Sequence, residues 1–129
     1  MTKIEKYNAF VEKIEEMTNS ENAMQASEIV AELVRSSLLT QSQMEVLISF
    51  FTNMSLIDYV KSRKMNCAVK HLMDKPRFDC RDAIYFAGYS EQSNFIRGFR
   101  KRFGVTPKEA YDERMDLVTE PAFLKAVVM

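Results

Sequence analysis

Between Gln92 and Phe103 the chain sets Gln92, Ser93, Asn94, Arg97, Arg100 and Lys101 around an apolar stripe of Phe95, Ile96, Phe99 and Phe103. The stripe recurs at helical spacing, so the polar residues project away from the buried face. Their types suit the edges of bases. A Gln or Asn amide pairs with adenine N6 and N7, and an Arg guanidinium with guanine O6 and N7. Arg100 and Lys101 suit phosphate oxygens, which position a protein on a duplex without reading its sequence. Gly88 stands where a preceding helix must stop and the chain must turn, a place that favours positive φ. Ser90 reads as the N-cap of the helix that follows. Thr106-Pro107-Lys108-Glu109 reads as a capping box with proline at N1, and it carries Lys108 as a further phosphate contact. Residues 83–107 therefore read as helix, glycine turn and helix, the arrangement that delivers a helix into the major groove. The plainer alternative is a helical hairpin whose cationic face is merely solvated. Turn, caps, stripe and polar face all agree on the first.

The elements that must position this hairpin are helical as well. Ile4, Tyr7, Phe10, Val11, Ile14 and Met17 predict a helix over 4–18, and Ala26, Ile29, Val30, Leu33 and Val34 one over 22–37. Thr40 with Gln43 predicts a capped third helix running to Phe51, with Asn53 as its stop. Ser55 with Asp58 opens a long helix to about Asp74, ended by Lys75-Pro76. Its stripe is Leu56, Tyr59, Val60, Met65, Val69, Leu72 and Met73. At ~1.5 Å per residue such a helix spans about 30 Å, close to the ~34 Å of one turn of B-DNA. The tail from Met115 to Met129 carries Leu117, Val118, Phe123, Leu124, Val127 and Val128. It reads as a packed terminal helix or a partner-binding segment, packing being favoured.

Composition bounds the class. In 129 residues there are only three glycines and three prolines, which argues for helices throughout and against a β architecture. A hydrophobic fraction of 47% against 28% charged gives enough apolar material for the core of one compact domain or two very small ones. No apolar run approaches the ~20 residues of a membrane span, and no signal peptide is visible. Cys67 and Cys80 form no disulfide framework and no metal spacing, and read as reduced thiols suited to a cytoplasm. His71 is alone, so a metal or nucleophile site is not expected. No nucleophile–base pair and no phosphate loop appears either, so an enzyme is the weakest class and no cofactor or small-molecule ligand is implied.

The net charge of zero hides an uneven distribution. Residues 1–60 carry four basic against nine acidic residues, a balance of −5. Residues 61–114 carry thirteen basic against seven acidic, a balance of +6. A basic, DNA-facing half joined to an acidic one is expected.

Taken together, the residues resemble the DNA-binding domain of the AraC/XylS family of bacterial transcription regulators. The likeness is specific over Gly88-Tyr89-Ser90-x-Gln92-Ser93-x-Phe95-x-Arg97-x-Phe99-Arg100-Lys101-x-Phe103-Gly104-Val105-Thr106-Pro107. It extends weakly back through Met54–Met65 and covers roughly residues 22–114. The resemblance implies an all-α, homeodomain-like fold of about seven helices, with two helix-turn-helix subdomains joined by a linker helix. The implied units are residues 1–54, the linker 55–74, a second subdomain 75–114 and a tail 115–129. It implies double-stranded DNA as partner, and the stand-alone, MarA-like form without a ligand-sensing domain.

Departures from the family pattern fall mostly in the first subdomain. Its reading helix, from Gln41 to Phe51, has no Lys or Arg, and Leu38 replaces the usual turn glycine. Glu45 and Val46 occupy positions where the family tends to place DNA contacts, leaving Gln41, Ser42 and Gln43 as its candidates. In the second subdomain, Ile84 takes the place of a small alanine. Two functions follow. The leading one is a sequence-specific regulator that reads DNA chiefly through Gln92, Ser93, Asn94 and Arg97. The rival is an interaction module with weak or no specific DNA affinity, pairing with RNA polymerase or another regulator through Glu45, Val46, Phe50 and Phe51. Phe51 is equally well explained as core.

Overall fold

The computed structural model describes residues 1–19 and 24–117. Among them are seven helices and no strand: α1 (Lys3–Asn19), α2 (Ala26–Ser36), α3 (Gln41–Thr52), α4 (Leu56–Met73), α5 (Arg81–Ala87), α6 (Gln92–Phe103) and α7 (Pro107–Asp112). The all-α class and the two helix-turn-helix pairs, α2–α3 and α5–α6, agree with expectation.

Local chemistry sets most helix ends. The Gln43 N–H donates to the Thr40 hydroxyl at 3.2 Å, and the Thr40 N–H donates to the Gln43 side-chain oxygen at 2.9 Å. Asn53 closes α3 in the left-handed region at φ 58°, where Asn is tolerated better than most residues. The Ser55 hydroxyl accepts from the Asp58 N–H at 3.2 Å and opens α4. Thr106 and Glu109 form the expected capping box of α7, with Pro107 in its first turn. All four signals stand in the sequence where the helices begin or stop.

Two starts differ from expectation. Helix α2 begins at Ala26, with Gln25 at its N-cap and the Gln25 N–H donating to the Glu28 carboxylate at 3.3 Å. Residues 22 and 23 of the expected helix lie outside the described residues. The N-cap of α6 is Glu91 (φ −130°, ψ 139°), not Ser90. The turn is longer because Tyr89 folds back onto Phe95, ring centroids 5.9 Å apart, before the new helix can start.

Two apolar cores hang on α4. Phe10, Ile14, Ile29, Leu33, Met44 and Ile48 pack against Leu56, Tyr59 and Val60 at its first turns. Ala83, Phe95, Phe99, Ala110 and Tyr111 pack against Met65, Val69 and Leu72 further along. At ~1.5 Å per residue its 18 residues span about 27 Å. The expected stripe is buried except for the half-buried Met73, but so are Ser62, Arg63, Lys64 and Asn66. A stripe assumes one buried face, whereas α4 is covered on several sides where the cores meet. There Arg63 Nε donates to the Thr18 hydroxyl at 2.9 Å, and Thr18 donates to the Ile14 carbonyl at 2.7 Å. Arg102 Nη2 donates to Asn66 Oδ1 at 3.0 Å. Burial pulls the Lys64 pKa below its ordinary value. Several charges of the basic half are thus spent inside the molecule. Met115 and Leu117 rest half-buried on the second core. Residues 115–117 are not helical, and the rest of the expected terminal helix, 118–129, lies outside the described residues.

Candidate nucleic-acid interface

Helix α6 is held by its aromatic face and by two glycines that admit close approach. Phe95 and Phe99 are fully buried, while Ile96 and Phe103 pack at the margin of the core. A Cβ on Gly98 would run into the Tyr89 hydroxyl, so glycine there lets the ring lie across the helix. Gly88 adopts φ 82°, and a Cβ on it would meet the Met24 carbonyl oxygen at 3.0 Å. The turn of the second pair therefore packs on the chain just before α2. Ile84, in the place of a small alanine, is half-buried and packs against the second core, and Ala83 beside it is buried.

With the helix so fixed, Gln92, Ser93, Asn94, Arg97, Arg100 and Lys101 are all exposed. Arg97 Nη1 donates to Asn94 Oδ1 at 3.5 Å, a long contact that a base edge can replace. Arg97, Arg100 and Lys101 form no ion pair among the described residues. Three cations near this helix pair are neutralised locally. Lys75 pairs with Asp82, and Arg81 with Asp79 at 2.7 Å. The Arg81 hydrogen bonds hold the Asp79 carboxyl down at about 2. Lys108 pairs with Asp112 at 3.0 Å and sits 5.2 Å from the centroid of the Phe78 ring. It can reach phosphate only by leaving that partner. The Thr106 hydroxyl, aided by the Arg100 charge, lowers the Glu109 pKa. Arg97, Arg100 and Lys101 thus place three exposed cations without ion pairs within five residues of α6.

A cleft of about 390 Å³ runs beside the start of α6, lined by Asn94, Ser90, Tyr89, Gln25, Ser27 and Lys61. Lys61 is exposed on the otherwise well-buried α4 and shares this cleft with a candidate base-reading residue. The sequence counted it only as one charge of the basic half. Its signal was the gap in the apolar stripe at Ile57, Asp58 and Lys61, which marks the open side of the helix.

Helix α3 is different. Gln41, Ser42 and Gln43 are exposed, and the Gln43 side-chain oxygen accepts from the Thr40 N–H at 2.9 Å, a cap it would have to give up to form a bidentate pair with adenine. Ser42 and Gln43 line a groove against α1, which shares no lining residue with the Asn94 cleft. Glu45 does not stand as a groove-facing carboxylate. It is half-buried, and its Oε1 accepts from the Leu56 N–H at 2.6 Å, closing the first turn of α4 with a negative charge where the helix dipole favours one. Val46 at 68% and Phe50 at 80% exposure, with Ser42 and Ser49, leave an uncharged outer face. Phe51 packs on the first core beside Tyr7, ring centroids 6.2 Å apart. The turn from α2 to α3 needs no glycine, since Ser37 ends α2 extended (φ −79°, ψ 151°) and residues 37–40 have no positive φ. Leu38 is accommodated, and exposed, for that reason.

Two helical pairs on one connector, with exposed second helices, define a helix-turn-helix DNA-binding protein. The chain matches the family model described as a helix-turn-helix domain over residues 33–112, and it belongs to that family, of the AraC type. The match opens at Leu33, inside α2, so α1 lies outside it. Comparison with curated proteins gave no match, nor did comparison with solved structures. The family is one of DNA-binding regulators, not of enzymes. Among the described residues no helix is long and apolar enough to cross a membrane, and no three His, Cys, Asp or Glu side chains are grouped to hold a metal ion. Cys80 is buried, Cys67 is half-buried, and neither forms a disulfide.

Proposed function

We propose that this chain is a sequence-specific transcription regulator that reads the major groove chiefly through α6. One observation carries the reading. Base-reading and phosphate-reading side chains stand together, exposed and without ion pairs, on α6, while α3 holds no cation. Gln92, Ser93, Asn94 and Arg97 take the base edges, and Arg100 and Lys101 the phosphates. Lys61 and Lys108 add backbone contacts, and Gln41 and Ser42 make the lesser contribution of α3. Residues 1–54 and 75–114 act as unequal halves, with 55–74 as the rigid spacer and 115–129 as an appendage. The place of action is the cytoplasm, and neither cofactor nor small-molecule effector takes part.

Selection from a random duplex library, followed by anisotropy titration at several salt concentrations, tests this. One sequence class should be enriched. Four phosphate-contacting cations should give a log K against log salt slope of about −3 to −4. No enriched sequence together with a flat salt response would overturn the proposal. The exposure of Val46 and Phe50 favours a second role in which the first half engages another regulator or RNA polymerase.

A further inference from the structure

Between α1 and α3 lies a groove of about 680 Å³ that reading through α6 leaves unused. Ile4, Tyr7, Leu39, Leu47 and Phe51 line it, with Val46 at its lip. Phe50 stands one turn beyond Val46, largely in solvent. Among the described residues, the only charged ones lining the groove are Lys3 and Lys6. Neither has a carboxylate partner among the described residues. This is notable in a half whose formal balance is −5. The one carboxylate of α3, Glu45, is turned away onto the Leu56 N–H. The groove is therefore apolar inside and locally positive at its rim.

We propose that it docks a short amphipathic segment of a partner protein, with aliphatic or aromatic anchors on one face and Asp or Glu flanking them. The apolar lining receives the anchors in the manner of a helix in a groove. Lys3 and Lys6 select the acidic flanks and orient the segment, as complementary rim charges do. The groove shares no lining residue with the Asn94 cleft, so the proposed docking uses none of the α6 reading residues. The inference does not depend on DNA reading, and its failure would leave that reading intact.

Two labelled synthetic helical peptides with identical Leu and Phe anchors, one flanked by Glu and one by Lys, are titrated against the full chain by fluorescence anisotropy. The acidic peptide should bind at least roughly tenfold more tightly than the basic one. Joint Lys3→Glu and Lys6→Glu should reverse that order, and Val46→Asp should weaken binding roughly tenfold. Far-UV circular dichroism melts of the same variants report that they are folded. Equal binding of both peptides, binding untouched by Val46→Asp, or no saturable binding would overturn the proposal. So would sedimentation showing a dimer that excludes the acidic peptide, or a chain ending at Leu117 that binds it when the full chain does not. Those results would assign the groove to a second copy or to residues 118–129.

Discussion

Arg97 and Lys101 sit on one exposed helix, but their chemistry separates them. A bidentate base contact is worth about 1–3 kcal/mol of discrimination. Arg97→Ala should therefore weaken the selected site by roughly 5- to 150-fold and leave random duplex nearly unaffected. Lys101→Ala should weaken both alike and reduce the salt slope by about one. Equal loss on both duplexes for Arg97→Ala would make it a phosphate contact. At Glu45 the expected effect is on folding. Removing its carboxylate from the Leu56 N–H should cost about 1–3 kcal/mol, read as a lower urea midpoint, with DNA affinity unchanged. Asp79 carries an acid dependence. Its carboxyl, ordinarily near 3.8, lies at about 2 in the folded chain because Arg81 hydrogen-bonds it. The folded pKa is the lower one, so the stabilisation is complete above about pH 4 and is lost as pH falls towards 2. Asp79→Asn should flatten that part of the stability profile, modestly because the pair is exposed.

At the scale of elements, turns and caps carry much of the design. Gly88 (φ 82°) and Gly104 (φ 78°) share a backbone conformation but not an environment. Nothing lies within 4 Å of a Cβ built on Gly104, whereas one on Gly88 approaches the Met24 carbonyl oxygen and the Gln25 Cα. Gly104→Ala should cost about 1–2 kcal/mol from the left-handed backbone alone. Gly104→Asn should recover much of that. At Gly88 both substitutions should cost more, since neither removes the clash with backbone. Thermal melts of the four variants give the ranking, and equal losses at the two sites would refute the close approach. Caps were legible because their chemistry lies within four residues: Thr40–Gln43, Ser55–Asp58 and Thr106–Glu109 all formed. The Ser90 cap was misplaced because the turn also serves a longer-range contact, Tyr89 on Phe95.

For the whole molecule, α4 belongs to both cores, and neither half can lose it alone. Ile14→Ala in the first core and Phe99→Ala in the second should each cost about 2–5 kcal/mol. Both should move a single helix-melting transition, followed by far-UV circular dichroism. Two separated transitions in either variant would show that the cores unfold independently. The sequence alone determined the all-helical class, the stripes, three capping motifs and the polar face of α6, because these depend on neighbours within a few residues. Only the tertiary structure decided which charges remain for a ligand. Arg63, Lys64 and Arg102 are drawn inward and Glu45 is bent to the start of α4, so the formal balance of +6 in residues 61–114 overstates the positive surface. Burial and pairing join residues far apart in the chain, and helical spacing holds no record of them.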